Sequence, residues 1–311
     1  MTYPRSHLID PEGGTYHVCS RCVRRAFLFG VDQETGKDFS HRREWIEKRI
    51  LELSEIFTVS IYAYSVMTNH YHIVLRLESQ DLSDEEVADR WLRLCPGRRV
   101  AKRVAEVQSI RKAAILGDEE MLEVLRGRLG SLSWFMKFIN EPLARLANKE
   151  DRCKGRFWEG RFQSQALLDE ASVLACMVYV DLNPVRANLA DDIEDCDFTS
   201  IQRRCQTQDE QEIIGPINQS VSSEVPFSKT SLGDYINLIR WTGYQQSYMR
   251  RGPSRSADRC LKDNHTDTIH WFKDHMPLPK TWQRAMGSGE ALAEYAASIQ
   301  QCWIRRRSSV S

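Results

Sequence analysis

The chain has 311 residues, 41% hydrophobic and 28% charged, and its 43 basic residues balance 43 acidic ones for a formal net charge of zero. That is enough chain for a compact core with a smaller appended unit, and the even balance excludes a nucleic-acid binder that works through overall charge. No apolar run approaches the roughly 20 residues of a membrane helix, and the first residues lack the apolar centre of a secretory leader, so a cytoplasmic protein is expected.

Nine cysteines are scattered from Cys19 to Cys302. Cys19 and Cys22 form a CxxC with no second pair nearby, so reduced thiols are expected rather than a zinc site or a disulfide framework. The charge is uneven along the chain. Arg98, Arg99, Lys102 and Arg103 cluster, as do Arg152, Lys154, Arg156 and Arg161, while Asp191, Asp192, Glu194, Asp195 and Asp197 crowd elsewhere. Any affinity for nucleic acid would rest on such local patches.

Residues 15–21, TYHVCSR, predict a short strand. After a polar loop, Ser40 is placed to cap a helix running to about Phe57, with Trp45, Ile46, Ile50, Leu53 and Phe57 at near-helical spacing. Residues 58–66 are β-branched and aromatic, and Met67-Thr68-Asn69 turns them into a second strand over 70–77, giving a hairpin. The stretch 79–130 is charged and helix-prone. Ser83 and Glu86 have capping-box spacing, and Pro96-Gly97 divides the region into two predicted helices. An amphipathic helix follows over 131–148, then a strand over 162–168 and a helix from Glu170 to Leu182 that ends near Asn183-Pro184.

This order predicts an α+β fold: a ferredoxin-like antiparallel sheet with helices on one face, and a helical insert at about 79–130. The catalytic unit is expected over 1–205. Residues 206–231, rich in Gln, Ser, Asn and Pro, read as a linker, and 232–311 as a mostly helical C-terminal extension.

His70 and His72 lie two apart in a strand, so both imidazoles project from one face while Tyr71, Ile73, Leu75 and Leu77 take the other. Such a pair can chelate a divalent ion, and it can equally be two hydrogen-bonded or solvent-facing histidines. Tyr179 and Asn183 are four apart on the predicted helix and share its face. A phenol is a weak nucleophile at neutral pH, and a metal that polarises its target would make it useful. Asn183 can add an amide oxygen to the ligand set. Two nitrogens, one oxygen and open positions suit Mg²⁺ or Mn²⁺ better than a closed zinc site. The plain alternative for Tyr179 is a core tyrosine with a satisfied hydroxyl.

The segments TYHVCSR, VMTNHYHIVLRL, GRFWEGRFQSQALL and YVDLNPVRANL occur in this order. Together they resemble the REP-associated tyrosine transposases and the wider group of one-tyrosine, HUH-type insertion-sequence transposases. The resemblance spans about residues 14–191, interrupted by the insert. It implies that His70 and His72 bind the metal, that Tyr179 attacks DNA, and that Asn183 assists the metal. It further implies attack on a single-stranded phosphodiester, a 5′-phosphotyrosine intermediate and recognition of hairpin DNA; a monomer or homodimer is expected. No Walker-type loop is present, in keeping with chemistry that needs no nucleotide.

In RCKGRFWEGRFQS, Arg152, Lys154, Arg156 and Arg161 can follow a phosphate backbone, and Trp158 between Phe157 and Phe162 can stack on bases or anchor the core. Arg186 is a further candidate for a phosphate contact. His17, on the opposite side of its strand from Tyr16 and Val18, reads as a structural histidine. The insert and the segment beyond about 205 depart from the family pattern. A domesticated hairpin-binding protein or repressor without cleavage activity is the alternative, and a metal phosphoesterase using water is a third.

Overall fold

The computed structural model describes residues 13–23, 29–32, 36–97, 104–206, 214–218, 230–251 and 282–301. Strand β1 (Gly14–Arg21) leads through α1 (His41–Ser54) to the hairpin β2 (Val59–Val66) and β3 (His70–Leu77). Helix α5 (Leu132–Glu150) carries the chain on to β4 (Gln163–Leu167). These four strands stand in the order β2-β3-β1-β4, each antiparallel to its neighbours. That is the ferredoxin-like arrangement, and it confirms the α+β expectation. Ser40 takes the N-cap position of α1, yet its side chain caps nothing; its own N–H donates to Asp38 Oδ1 at 2.8 Å.

The two crossover helices pack on one face. Ile46, Ile50 and Leu53 of α1 and Phe135, Met136 and Ile139 of α5 meet Tyr16, Val18, Tyr71, Ile73 and Leu75 in one buried cluster. Three insert helices, α2 (Asp84–Leu94), α3 (Val104–Leu116) and α4 (Glu119–Leu129), extend that cluster through Val87, Leu92, Ile115, Leu122, Leu125 and Leu129. The Ser83–Glu86 capping box forms as the sequence predicts. A second break, after Gly117, gives three helices where two were expected, because Asp118 accepts the Met121 N–H at 2.9 Å and starts a new helix. Arg98, Arg99, Lys102 and Arg103 lie outside the described residues.

Helices on one face only do not satisfy this sheet, and here the structure corrects the sequence. Strand β2 is buried at every position, as a strand covered on both sides must be. A bulge at Tyr62 shifts the register between Ile61 and Ala63, so Tyr62 and Ala63 both turn to the second face. There they join Val74 against α6 (Glu170–Asp181). That helix is apolar nearly all round because it is sandwiched between the sheet and α9 (Leu232–Arg251), through Leu232, Tyr235, Ile236 and Ile239.

Later parts of the chain bond to both outer strands of the four-stranded arrangement. At the β2 edge, Ile217 N donates to Ile61 O at 2.7 Å, and Arg204 Nη2 donates to Tyr62 O at 2.8 Å. Asn218 accepts from Ile61 N at 2.7 Å and donates to Val59 O at 2.7 Å and Ser54 O at 3.2 Å. At the other edge the C-terminal segment returns as a short strand, β5 (Ala285–Met286), parallel to β4, followed by α10 (Gly289–Ser298). Open edges invite pairing with other chains, and these contacts occupy part of each. The described parts of the segment beyond 231 thus belong to the same core as the first 205 residues.

Replacing Asn218 by Ala removes one acceptor and one double donor from buried backbone groups. Urea denaturation should show a loss of about 2–4 kcal/mol, since each buried polar group left unpaired costs about 1–3 kcal/mol. A loss under half a kcal/mol would mean that solvent reaches this edge.

Candidate active site

The site lies on the second face. By strand alternation β3 sends His70 and His72 there, and β1 sends His17, Cys19 and Arg21. Register brings them together: His72 stands opposite Cys19, His70 opposite Arg21, and Gln165 of β4 opposite His17. Helix α6 starts at the far end of β4, where Asp169 accepts the Ser172 N–H at 2.8 Å, and runs back over the sheet. Tyr179 lies in its last turn. Its ring centroid is 5.8 Å from that of His72 and 6.0 Å from that of His17, both edge-on. The rings of His70 and His72 are 4.9 Å apart. The structure therefore gathers His70, His72 and Tyr179, about a hundred residues apart in sequence, at one place.

The imidazoles are held by their second nitrogens. His70 Nδ1 meets Asn69 Oδ1 at 2.6 Å, and His72 Nδ1 meets His17 Nε2 at 2.9 Å. Each of the pair keeps its Nε2 as the remaining donor atom. Burial drives His17 and His70 down to about 4; a Gln165 hydrogen bond partly offsets this for His17, and Arg21 adds to it for His70. His72 falls well below its ordinary range through burial, then through the charges of His70, His17, Arg21 and Arg186. All three are neutral at pH 7, the form that ligates metals. Orientation by a second hydrogen bond is also what metal-binding histidines use. Among the described residues no three His, Cys, Asp or Glu side chains form a metal-binding group.

Tyr179 is half-buried, and burial raises its pKa, while the Arg186 guanidinium, 4.6 Å from the ring centroid, pulls it back. Asn183 begins the short helix α7 (Asn183–Arg186), is buried, and leaves Nδ2 without a hydrogen-bond partner. Between them sits Asp181, fully buried, accepting from Ser200 Oγ and from Tyr235 OH, the latter at 2.6 Å. Burial raises Asp181 to about 6 against the lowering effect of these two donors. The pairing ties the end of α6 to α8 (Ser200–Cys205) and α9, and so fixes the height of Tyr179 over the sheet.

A solved structure described as a REP-associated tyrosine transposase bound to a REP hairpin is similar in overall course. It aligns with 74% of this chain and 100% of its own, at 14% sequence identity and a TM-score of 0.36. No protein-family model and no curated protein matches the chain. Among the described residues no helix is long and apolar enough to cross a membrane.

Arg152, Lys154, Arg156 and Arg161 are exposed on the loop that enters β4 at Gln163, opposite Cys19. They border the end of the sheet that carries His70 and His72. Of the three aromatics, Phe157 and Phe162 are buried. Trp158 is half-buried, with its Nε1–H on Asn140 O at 2.9 Å and its ring against Phe29, Tyr71 and Phe157. It also lines a groove of about 480 Å³ beside α5, together with Lys137, Arg145 and Arg161.

The sequence reads His17 as a structural histidine; the structure sets it against His72 and Tyr179, on the side where the alternation of TYHVCSR also puts Cys19 and Arg21. Trp282, whose ring lies 4.7 Å from that of His17, carried no local signal.

Because the unfolded chain binds protons near pH 6.5 and folded His17 only near 4, His17 contributes stability above 6.5 that is lost as pH falls toward 4. Asp181 acts in the opposite sense over much of the same range. In urea titrations from pH 7 to 4, His17→Gln should gain on wild type by about 1.4 kcal/mol per pH unit below 6.5. A difference independent of pH would mean that His17 is not held neutral.

Proposed function

We propose that this protein is a metal-dependent transposase that cleaves and rejoins single-stranded DNA through Tyr179, at sites next to hairpins. The observation that carries the reading is the placement of the Tyr179 ring 5.8 Å from His72, over a strand face that also presents His70. Neither the tyrosine nor the histidines require this meeting for stability: a core that merely needed filling would take apolar side chains there.

In this reading His70 and His72, with Asn183, would hold Mg²⁺ or Mn²⁺, which would supply Lewis-acid polarisation of the scissile phosphate. The Tyr179 oxygen attacks phosphorus, the bond to the 3′ oxygen breaks, and a 5′-phosphotyrosine and a free 3′-hydroxyl result. The phenol proton passes to solvent and the departing 3′ oxygen takes one up. Attack by a 3′-hydroxyl on the phosphotyrosine reverses these steps and releases the phenol, so one phosphodiester replaces another. Arg186, over the Tyr179 ring, favours the phenolate. Arg152, Lys154, Arg156 and Arg161 follow the DNA backbone as it reaches the site, and Trp158 gives the groove an aromatic wall. Water-based phosphoester hydrolysis finds less support, since no further acidic or histidine ligand joins the pair among the described residues.

Labelled hairpin DNA with single-stranded flanks, incubated with Mn²⁺ or Mg²⁺, should form an adduct that survives denaturation. Tyr179→Phe should abolish it, and His70→Ala or His72→Ala should lower its rate by about a hundredfold or more. Cleavage that persists in Tyr179→Phe would end the tyrosine mechanism; tight binding without cleavage would favour a hairpin-binding repressor. The adduct rate should rise with pH from 7 to 9 because Tyr179 starts protonated. Arg186→Gln should move that rise to higher pH, and an unchanged profile would remove Arg186 from this role.

A further inference from the structure

Trp282 is 38% exposed, an unusual state for an indole that a folded chain has gone to some length to place. Its position is set by backbone pairing. Ala166 N donates to Arg284 O at 2.8 Å and Leu168 N to Met286 O at 2.9 Å, which locks β5 onto β4 two residues beyond Trp282. Ser288 N on Asp169 Oδ2 at 2.5 Å anchors the same segment at the start of α6. The indole N–H then donates to Ser164 O at 3.3 Å, and the ring lies against His17, tilted by 36°. Aromatic rings thus follow one another across the sheet in strand order: His72 on β3, His17 on β1, and Trp282 over β4. The last is an indole open to solvent, one imidazole removed from His72.

We infer that Trp282 is a stacking platform for a nucleobase of the single strand that flanks the phosphate attacked by Tyr179. The inference rests on the function proposed above. An exposed aromatic face beside a phosphate-processing centre matches what an unpaired strand presents there: a base next to each backbone phosphate. Every base has a π face, so the contact adds affinity without demanding one sequence. The N–H bond to Ser164 and the packing on His17 restrain the ring, so little freedom remains to be lost on binding. The C-terminal segment thereby supplies a substrate contact, and the edge pairing of β5 doubles as the device that aims it.

The test measures binding rather than cleavage. Full-length protein is titrated, with a chelator present, against a fluorescent hairpin oligonucleotide carrying single-stranded flanks, and each flank position is replaced in turn by an abasic residue. Wild type should bind the intact probe and lose about 5- to 50-fold at one or two abasic positions. Trp282→Ala should bind the intact probe about 5- to 50-fold more weakly and be insensitive to those same positions, while Trp282→Phe recovers much of the loss. Thermal melts of both variants check that β5 remains docked. Affinity of Trp282→Ala within twofold of wild type would overturn the inference, as would abasic losses in Trp282→Ala that match those in wild type at every position. A folded wild type with no affinity for the probe would instead remove the transposase reading, and this inference with it.

Discussion

Everything at the site depends on the second face of the sheet being buried by α6. A five-stranded sheet with one face against α1 and α5 has apolar surface left on the other, notably Tyr62, Ala63 and Val74. Covering it requires an apolar helix, and α6 has the composition: buried residues around nearly its whole girth. Once α6 lies there, its last turn must pass over the start of β3, and Tyr179 meets the histidines. Hydrophobic burial is thus the force that sets a polar geometry, with each fully buried aliphatic side chain contributing about 1.5–3 kcal/mol.

The polar contacts then refine what burial has placed. Asp169 fixes where α6 begins, and Asp181, gripped by Ser200 and Tyr235, fixes where it ends. The two carboxylates are twelve residues apart on one helix, and each also bonds a segment from later in the chain: Ser288 for the first, Tyr235 for the second. The C-terminal part of the chain therefore holds both ends of the helix that carries Tyr179. A segment remote in sequence is thus built into the scaffold of the candidate site.

The same logic accounts for the neutral histidines. Burial strips water from all three imidazoles, Arg21 opposes a proton on His70 and His72, and Arg186 opposes one on His72. For the proposed function, arginines beside neutral imidazoles suit a polyanionic substrate: the cations attract its backbone, and the imidazoles remain free of protons near neutral pH. The exposed arginines and Lys154 on the loop into β4 add cations along the same end of the sheet.

Local chemistry was enough for much of this. Alternation in HYHIVLRL and TYHVCSR fixed which side chains share a face, helical spacing joined Tyr179 to Asn183, and the strand limits came within a residue or two of those observed, while α1 stops three residues before its predicted limit at Phe57 and the insert holds three helices instead of two. Such features depend on neighbours in the chain, which is why they are written there. The two-sided burial of the sheet, the contact of His17 with His72, the grip on Asp181 and the arrival of Trp282 are not local. Each joins segments separated by tens to more than two hundred residues, and no period or motif in either partner announces the other. Trp282 shows the limit most plainly. Its neighbourhood in the chain says only that it is an aromatic residue, and the pairing of β5 with β4 decides that it stands beside the candidate active site.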